Sequence, residues 1–321
     1  MRFSAASTAR FLGRRLLSSA VVLLGVLVVV FAIVQLVPGD PVRLALGTRY
    51  TQEAYDALNA ASGLDRPIVE QFFGYVGGAL TGDLGVSFRN GQPVTQLLLE
   101  RLPATLSLAA AGIVVALLIA VPAGIWSALR EGKVSDAIVR LGSQAGVSIP
   151  DFWLGLLLIG LFSTTLGWLP PSGYTALADD PLGWLRRVAL PGLTVGLVAG
   201  AIMTRYIRSA VLDVASAGYV RTARSKGLAP SVVTGRHIVR GALVPVLTIV
   251  GIQLATILGG VIVVEVVFAW PGLGRLVFDS VSARDYPMIQ GSVLLIAVMF
   301  LIVNLIVDVL YAVVDPRIRL A

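Results

Sequence analysis

Apolar residues in this chain gather into long runs instead of alternating with polar ones. A hydrocarbon core takes about 20 residues of helix at about 1.5 Å per residue to cross, and six stretches are long enough. Residues 16–37 and 104–128 carry no charge. Stretch 141–169 carries only Asp151, next to a Pro150 that shifts its start, and 188–207 ends with Arg205 close by. Stretch 243–269 contains Glu265, and 290–314 contains Asp308. The pattern predicts an all-α polytopic membrane protein with six transmembrane helices. The basic segment 1–15 before the first run resembles the start of a secretory signal, but the run is too long and lacks a small-x-small cleavage site, so it is read as a span.

Between the spans, two segments exceed the length of a turn. Segment 38–103 looks folded: after Pro67, suited to a first helical turn, Ile68, Phe72, Val76 and Leu80 recur every four residues and predict a helix with one apolar face. Segment 208–242 is basic, and from Arg205 to its end seven Lys/Arg face the single acid Asp213. Within it, Tyr219, Val220, Arg221, Thr222, Ala223, Arg224, Ser225, Lys226 and Gly227 read as a short helix closed by glycine. Gly227 suits the left-handed position after a helix, and Lys226 complements the negative end of the dipole. Pro230 then fits the first turn of a second helix running to about Ala242. Such a pair is too short and polar to span, so it lies at the membrane surface with its tip free to dock. The plainer reading is an interfacial helix drawn to anionic lipid.

Composition narrows the chemistry. With 56% hydrophobic and 13% charged residues, the chain falls far short of the roughly 25% charge of a soluble domain. Absence of cysteine and a single histidine exclude disulfide frameworks, thiol chemistry and sites built from several imidazoles. A net charge of +7 is not gathered into a basic tract interleaved with aromatics, so nucleic acid is not expected as a partner. With the N-terminus inside, sixteen of the 25 Lys/Arg fall in inner segments, which places both termini in the cytoplasm and 1–15 as a cytoplasmic tail. No phosphate-binding loop is present, so the chain does not hydrolyse ATP by itself. Its one histidine, His237, lies in the basic loop away from any apolar pocket, which excludes a serine hydrolase.

Several residues inside the spans invite two readings. Gly192, Gly196 and Gly200 share one helical face, which permits close backbone packing either within the chain or along a seam with a companion subunit. Glu265, with Asn304 and Asp308 four residues apart in the last span, could form a proton relay or fix helix register. Pro122, Pro150, Pro191 and Pro245 mark kinks or helix entries.

The run 219–228, followed by His237-Ile-Val-Arg-Gly-Ala-Leu-Val-Pro245, resembles the coupling-loop motif of binding-protein-dependent ABC importer permeases of the dipeptide and oligopeptide branch. Further matching pieces are Pro38-Gly-Asp-Pro41, Leu64-Asp-Arg-Pro67, Gly82-Asp-Leu-Gly-Val-Ser87, Trp270-Pro-Gly-Leu-Gly274, Arg284-Asp-Tyr-Pro287 and Asp315-Pro-Arg317, in B-type order. Arg221, Thr222 and Ala223 stand where the wider importer consensus has Glu-Ala-Ala. The resemblance implies a MetI-like permease fold with a core at 104–314 and an outer cap loop at 38–103. It also implies a prokaryotic inner-membrane location, and residues 219–227 as the helix that couples to the ATPases. The implied partners are a companion permease, cytoplasmic ATPase subunits that carry ATP and magnesium, and an external substrate-binding protein; no cofactor is expected in this chain. Peptide is the implied cargo, with nickel, haem or sugar as alternatives within the family. A proton-coupled secondary transporter or a non-transporting membrane scaffold are the rivals outside it.

Overall fold

The computed structural model describes residues 5–36 and 38–314. The motif starting at Asp315, the cations Arg2, Arg317 and Arg319, and Val37 of the first predicted span lie outside the described residues. Apart from one isolated antiparallel bridge between Val86 and Pro93, the described residues form no β-structure. The chain divides into two compact units, one comprising the chain up to Pro103 with Gly272–Leu301, the other Ala104–Pro271 with the chain from Ile302.

In the first unit, α1 (Ala5–Leu36) is followed by α2 (Pro41–Leu46), a single 3₁₀ turn, α3 (Gln52–Ala61) and α4 (Ile68–Thr81). Asp40 starts α2 as its N-cap, accepting from the backbone N–H of Val42 and Arg43 at 2.9 and 3.1 Å, while Pro41 fills the first helical position. The Tyr55 hydroxyl of α3 donates to the same carboxylate at 2.6 Å, so one acid ties two helices. Helix α4 confirms the four-residue periodicity with its face turned: Phe72 and Val76 are half-buried, whereas Ile68 and Leu80 are exposed. Phe72 and Tyr75 pack on Phe31 of α1, with ring centroids at 5.3 and 6.3 Å. Pro67 stands just before the helix as its cap, not inside its first turn.

Next come α5 (Val94–Leu129), α6 (Val134–Ser148), α7 (Asp151–Leu158) with a π-helical extension Ile159–Thr165, and α8 (Pro181–Ala215). They are followed by α9 (Gly218–Ser225), then α10 (Pro230–Val232), a π-helical segment Val233–Val239 and α11 (Arg240–Gly260). The chain ends in α12 (Ile262–Val267), α13 (Leu273–Ser282) and α14 (Tyr286–Val314). Among the described residues, five helices are long and apolar enough to cross a membrane, and α6 with α7, bent by 101° at their break, passes the same test as a pair. The disturbance expected at Pro150 in the stretch 141–169 is a full break between two helices. Ile149 before Pro150 is driven to ψ 123°, out of the helical basin, and the helix stops there.

Contacts along α8 show that the bent pair does return the chain. Cβ atoms built on Gly112 and Gly124 of α5 would strike Val195 and Ile207 of α8, a register that rises on both helices, so α5 and α8 run parallel. Along α6 and α7 the register falls: Asp136 meets Arg208, Gly146 meets Ala201, and Gly155 meets Thr194. Two parallel crossings require an antiparallel one between them, and α6–α7 supplies it. The second helix of the basic segment differs from expectation by not ending near Ala242. It continues from Pro230 into α11 through the π-helical segment, and Pro245 sits inside the helix. Likewise α8 extends eight residues past Ile207, which leaves only a short elbow between two long helices.

Candidate functional site

That elbow is α9. Ala217 takes an extended conformation at φ −63°, ψ 145° and breaks the helix after α8, and α9 starts at once. Val220 and Ala223, one turn apart, are buried, while Arg221, Thr222, Arg224, Ser225 and Lys226 are exposed. The amphipathic split fixes which face the helix lays on the protein. Gly227 has φ +76°, and the helix closes with a double bond pattern: the Leu228 N–H reaches the Ala223 carbonyl at 3.4 Å and the Gly227 N–H reaches the Arg224 carbonyl at 3.0 Å. This is the glycine-closed helix end read from the sequence, built as a Schellman motif. Arg221 folds back to donate to the Ser216 carbonyl at 3.3 Å. A Cβ on Gly241 of α11 would lie 2.7 Å from the Tyr219 hydroxyl and 2.9 Å from a Val214 methyl, so the absent side chain is what lets α8, α9 and α11 meet. An open depression of about 310 Å3 lies beside the turn, lined by Arg224, Leu228, Pro230, Val233 and Thr234. Connections of two residues on one side and four on the other hold α9 stiffly between the long helices.

Near the same end of α8 lies a polar cluster that sequence reading missed. Arg208 donates two hydrogen bonds to Asp136, Nε to Oδ1 at 2.7 Å and Nη2 to Oδ2 at 2.9 Å. Ser127 at the end of α5 donates to Asp136 Oδ1 at 2.5 Å, and the Gly132 N–H donates to Oδ2 at 3.1 Å. Asp136 is 1% exposed, so this carboxylate has exchanged water for four protein donors. Arg208 lies 72 residues from Asp136 in sequence, and the local hint was an Asp four residues after a glycine turn.

Gly192, Gly196 and Gly200 face α5. Added Cβ atoms would meet Ala111, Val115 with the Gly112 carbonyl, and Ala116 with Ile119 respectively. Within the chain, α5 fills that face. Glu265 is fully buried, and its Oε1 accepts from the Thr105 hydroxyl at 2.7 Å, which binds α12 to α5. Five residues on, the Trp270 indole N–H donates to the Ala104 carbonyl at 2.8 Å, and Trp270 is completely buried. Both contacts fix one corner against α5. Asn304 and Asp308 are half-buried on α14. In the first unit, Asp285 accepts from the Ser87 hydroxyl at 2.5 Å and the Phe88 N–H at 3.1 Å, which brings together two of the motifs that carried the resemblance. Among the described residues, no group of three or more His, Asp or Glu is placed to hold a metal.

Six crossings, parallel packing of the second and fourth, and a stiff surface helix between the fourth and fifth define a multi-pass membrane protein of the transport-permease class. The chain belongs to the family of inner membrane components of binding-protein-dependent transport systems: the family model matches residues 120–320, and the model for the N-terminal part of such components matches 8–109. It is 40% identical to the di/tripeptide transport system permease protein DppB of Pseudomonas aeruginosa (strain UCBPP-PA14), over 96% of this chain and 98% of that one. It is 42% identical to the glutathione transport system permease protein GsiC of Escherichia coli (strain K12) and 44% identical to that of Pectobacterium atrosepticum, each over 95% of this chain and 97% of the relative. Among solved structures, an inward-facing conformation of the MetNI methionine ABC transporter superposes with a TM-score of 0.55 at 18% identity, covering 68% of this chain and 97% of that one. At that identity the likeness establishes the fold, in agreement with the predicted MetI-like architecture.

Proposed function

We propose that this chain forms half of the translocation pathway of an ATP-driven importer of di- and oligopeptides, together with a companion permease. Two cytoplasmic ATPase subunits, which bind the ATP and magnesium, drive it, and an external binding protein delivers the cargo. The observation that carries the coupling role is the α9 elbow: a short helix with exposed Arg221, Arg224 and Lys226, buried on its other face, closed by Gly227 and packed against α8 and α11 at Gly241. A flexible loop would absorb a push where this elbow passes it on. The peptide cargo is supported by the relatives DppB, a di/tripeptide permease, and GsiC, a permease for the tripeptide glutathione. The orientation, with both termini and the elbow in the cytoplasm, rests on the bias of Lys/Arg toward inner segments. Arg130 stacked 3.9 Å over the exposed Trp126 ring at the end of α5 gives that end an interfacial anchor.

Alternating access follows from these parts. ATP binding draws the ATPase pair together, α9 is displaced, and the spans reorient; each ligand shifts the two states only by its differential affinity for them. The rival proton-coupled mechanism finds little support in Glu265, whose carboxylate is engaged with Thr105 at a helix corner. The test is reconstitution of the whole complex in vesicles with a labelled tripeptide. ATP-dependent accumulation that requires the binding protein is expected, and Gly227→Val should cut uptake while ATP hydrolysis continues. Accumulation by this chain alone, without nucleotide and driven by a proton gradient, would overturn the reading.

A further inference from the structure

We propose that Asp136 and Arg208 form a clasp that transmits the displacement of α9 through α8 to the α5–α6 hairpin; this rests on the reading of the chain as the permease of an ATP-driven importer. Arg208 lies seven residues before the end of α8, about 10 Å along the helix from the point where the chain turns into α9. A push on α9 therefore reaches Arg208 through a rigid stem. The contact between α5 and α8 is otherwise made of small and β-branched residues: Gly112 against Val195, Gly196 against Val115, Gly200 against Ala116, Gly124 against Ile207. Dispersion across such a seam holds the helices close, and the side chains seated over glycines set where along it they meet, but the seam offers no directional polar contact.

The clasp adds a directional polar tie to that apolar seam. Its two parallel hydrogen bonds at 2.7 and 2.9 Å set both distance and direction between α8 and α6, and Ser127 adds the end of α5 to the same carboxylate. Burying a carboxylate and a guanidinium in an apolar setting costs desolvation, and well-packed apolar residues of similar volume often serve stability as well or better. Stability is thus a poor account of this pair, and fixed register is a better one. Asp136 and Arg208 are positioning residues that touch no cargo and no nucleotide.

Two readouts separate transmission from mere folding. In vesicles bearing the whole complex, Arg208→Lys keeps the charge and loses the two-point grip, while Asp136→Asn combined with Arg208→Gln removes both buried charges and leaves only the exposed Arg140, 3.7 Å from Asp136, in water. The paired variant should assemble, hydrolyse ATP at a rate close to the parent, and import peptide roughly tenfold more slowly, as expected when about 1.4 kcal/mol of coupling is lost. Arg208→Lys should fall between. Because the chain has no native cysteine, spin labels at Lys133→Cys and Ser225→Cys report only the distance from the α6 entry to α9. In the parent complex that distance should hold steady when nucleotide binds, since the clasp moves both ends together; in the paired variant it should change. Equal losses of hydrolysis and import, or label distances that respond alike in both, overturn the clasp. If the parent complex itself imports nothing with ATP, the importer reading falls, whereas failure confined to the variants counts against the clasp alone.

Discussion

The turn after α9 and the corners after α12 and α13 end their helices with the same pair of backbone bonds, yet only the first uses glycine. After α12 the Trp270 N–H reaches the Glu265 carbonyl at 2.8 Å and the Ala269 N–H reaches Val266 at 3.2 Å; after α13 the Asp285 and Arg284 N–H groups reach Ser280 and Val281 at 2.9 and 3.2 Å. The left-handed residue is Ala269 at φ 50° in one and Arg284 at φ 53° in the other. A side chain there costs about 1–2 kcal/mol. In both corners the very next residue is a buried anchor: Trp270, bonded to the Ala104 carbonyl, and Asp285, bonded to Ser87 and Phe88. Tertiary contacts over-determine those turns, so a strained residue persists. The turn at Gly227 is followed by Leu228, which is 41% exposed and anchors nothing comparable. An exposed elbow must hold its own shape, and glycine does this without strain.

If that difference is real, the anchors and not the turn residues carry the corners. Trp270→Ala should have the largest effect, about 3–5 kcal/mol, because it removes the largest of the fully buried side chains and its bond to α5. Asp285→Ala leaves a buried hydroxyl and the Phe88 N–H without their acceptor and should cost about 1–3 kcal/mol. Gly227→Val should disturb overall stability less than either, because a Cβ at Gly227 meets nothing within 4 Å and only the backbone is strained. Thermal unfolding of the detergent-solubilised complex ranks the three. A larger loss from Gly227→Val than from Trp270→Ala would break the comparison.

What could be read without coordinates divides along the same line. Apolar run lengths exposed the spans, and the order of Gly227 and Pro230 exposed the elbow, because each is a property of a few consecutive residues. Pro150 was visible as a disturbance, but nothing local says that the chain bends through 101° there and continues as a crossing. The glycine stripe showed a face and could not say which helix covers it. The pairs Asp136–Arg208, Thr105–Glu265 and Ser87–Asp285, separated by 72, 160 and 198 residues, arise only when helices pack, and a single charge among apolar residues does not name its partner. The helix beginning at Pro230 and the fifth span are one helix that the sequence divides in two. The hydrophobic pattern weakens across the cations Arg236 and Arg240 although the backbone continues as helix.

A smaller effect sharpens the contrast through its sign. Ala269→Gly relieves about 1–2 kcal/mol of left-handed strain and adds about 0.5–1 kcal/mol of chain entropy to the unfolded state, so a small net stabilisation should remain. Gly227→Ala gains the entropy and takes on the strain, with no anchor to enforce the turn. It should loosen the end of α9 rather than unfold the chain, seen as faster amide exchange at Gly227 and Leu228. Comparable exchange changes at both turns would mean that the anchor makes no difference.

The smallest effect concerns a helix start held by charge instead of packing. Burial alone would raise the Asp40 carboxyl, but the Tyr55 hydroxyl, the N–H groups of Arg43 and Val42 and the nearby Arg43 charge hold it below the usual carboxylate range. The same hydrogen bond to Asp40 raises the Tyr55 phenol above its ordinary value. A depressed carboxyl stabilises the α2–α3 pair above its unfolded value of about 3.9 and loses that contribution as pH falls through the folded value. A raised phenol contributes below its unfolded value of about 10 and loses the contribution as pH rises through the folded one. The junction should therefore be tightest between those limits. Solvent screening keeps the gain small. Amide exchange in 42–58, corrected for its intrinsic pH dependence, should accelerate on the acid side in the parent chain. Asp40→Asn keeps the N-cap and removes the titration, so its acid limb should be flat; an acid limb as steep as the parent's would locate the sensitivity elsewhere in the loop.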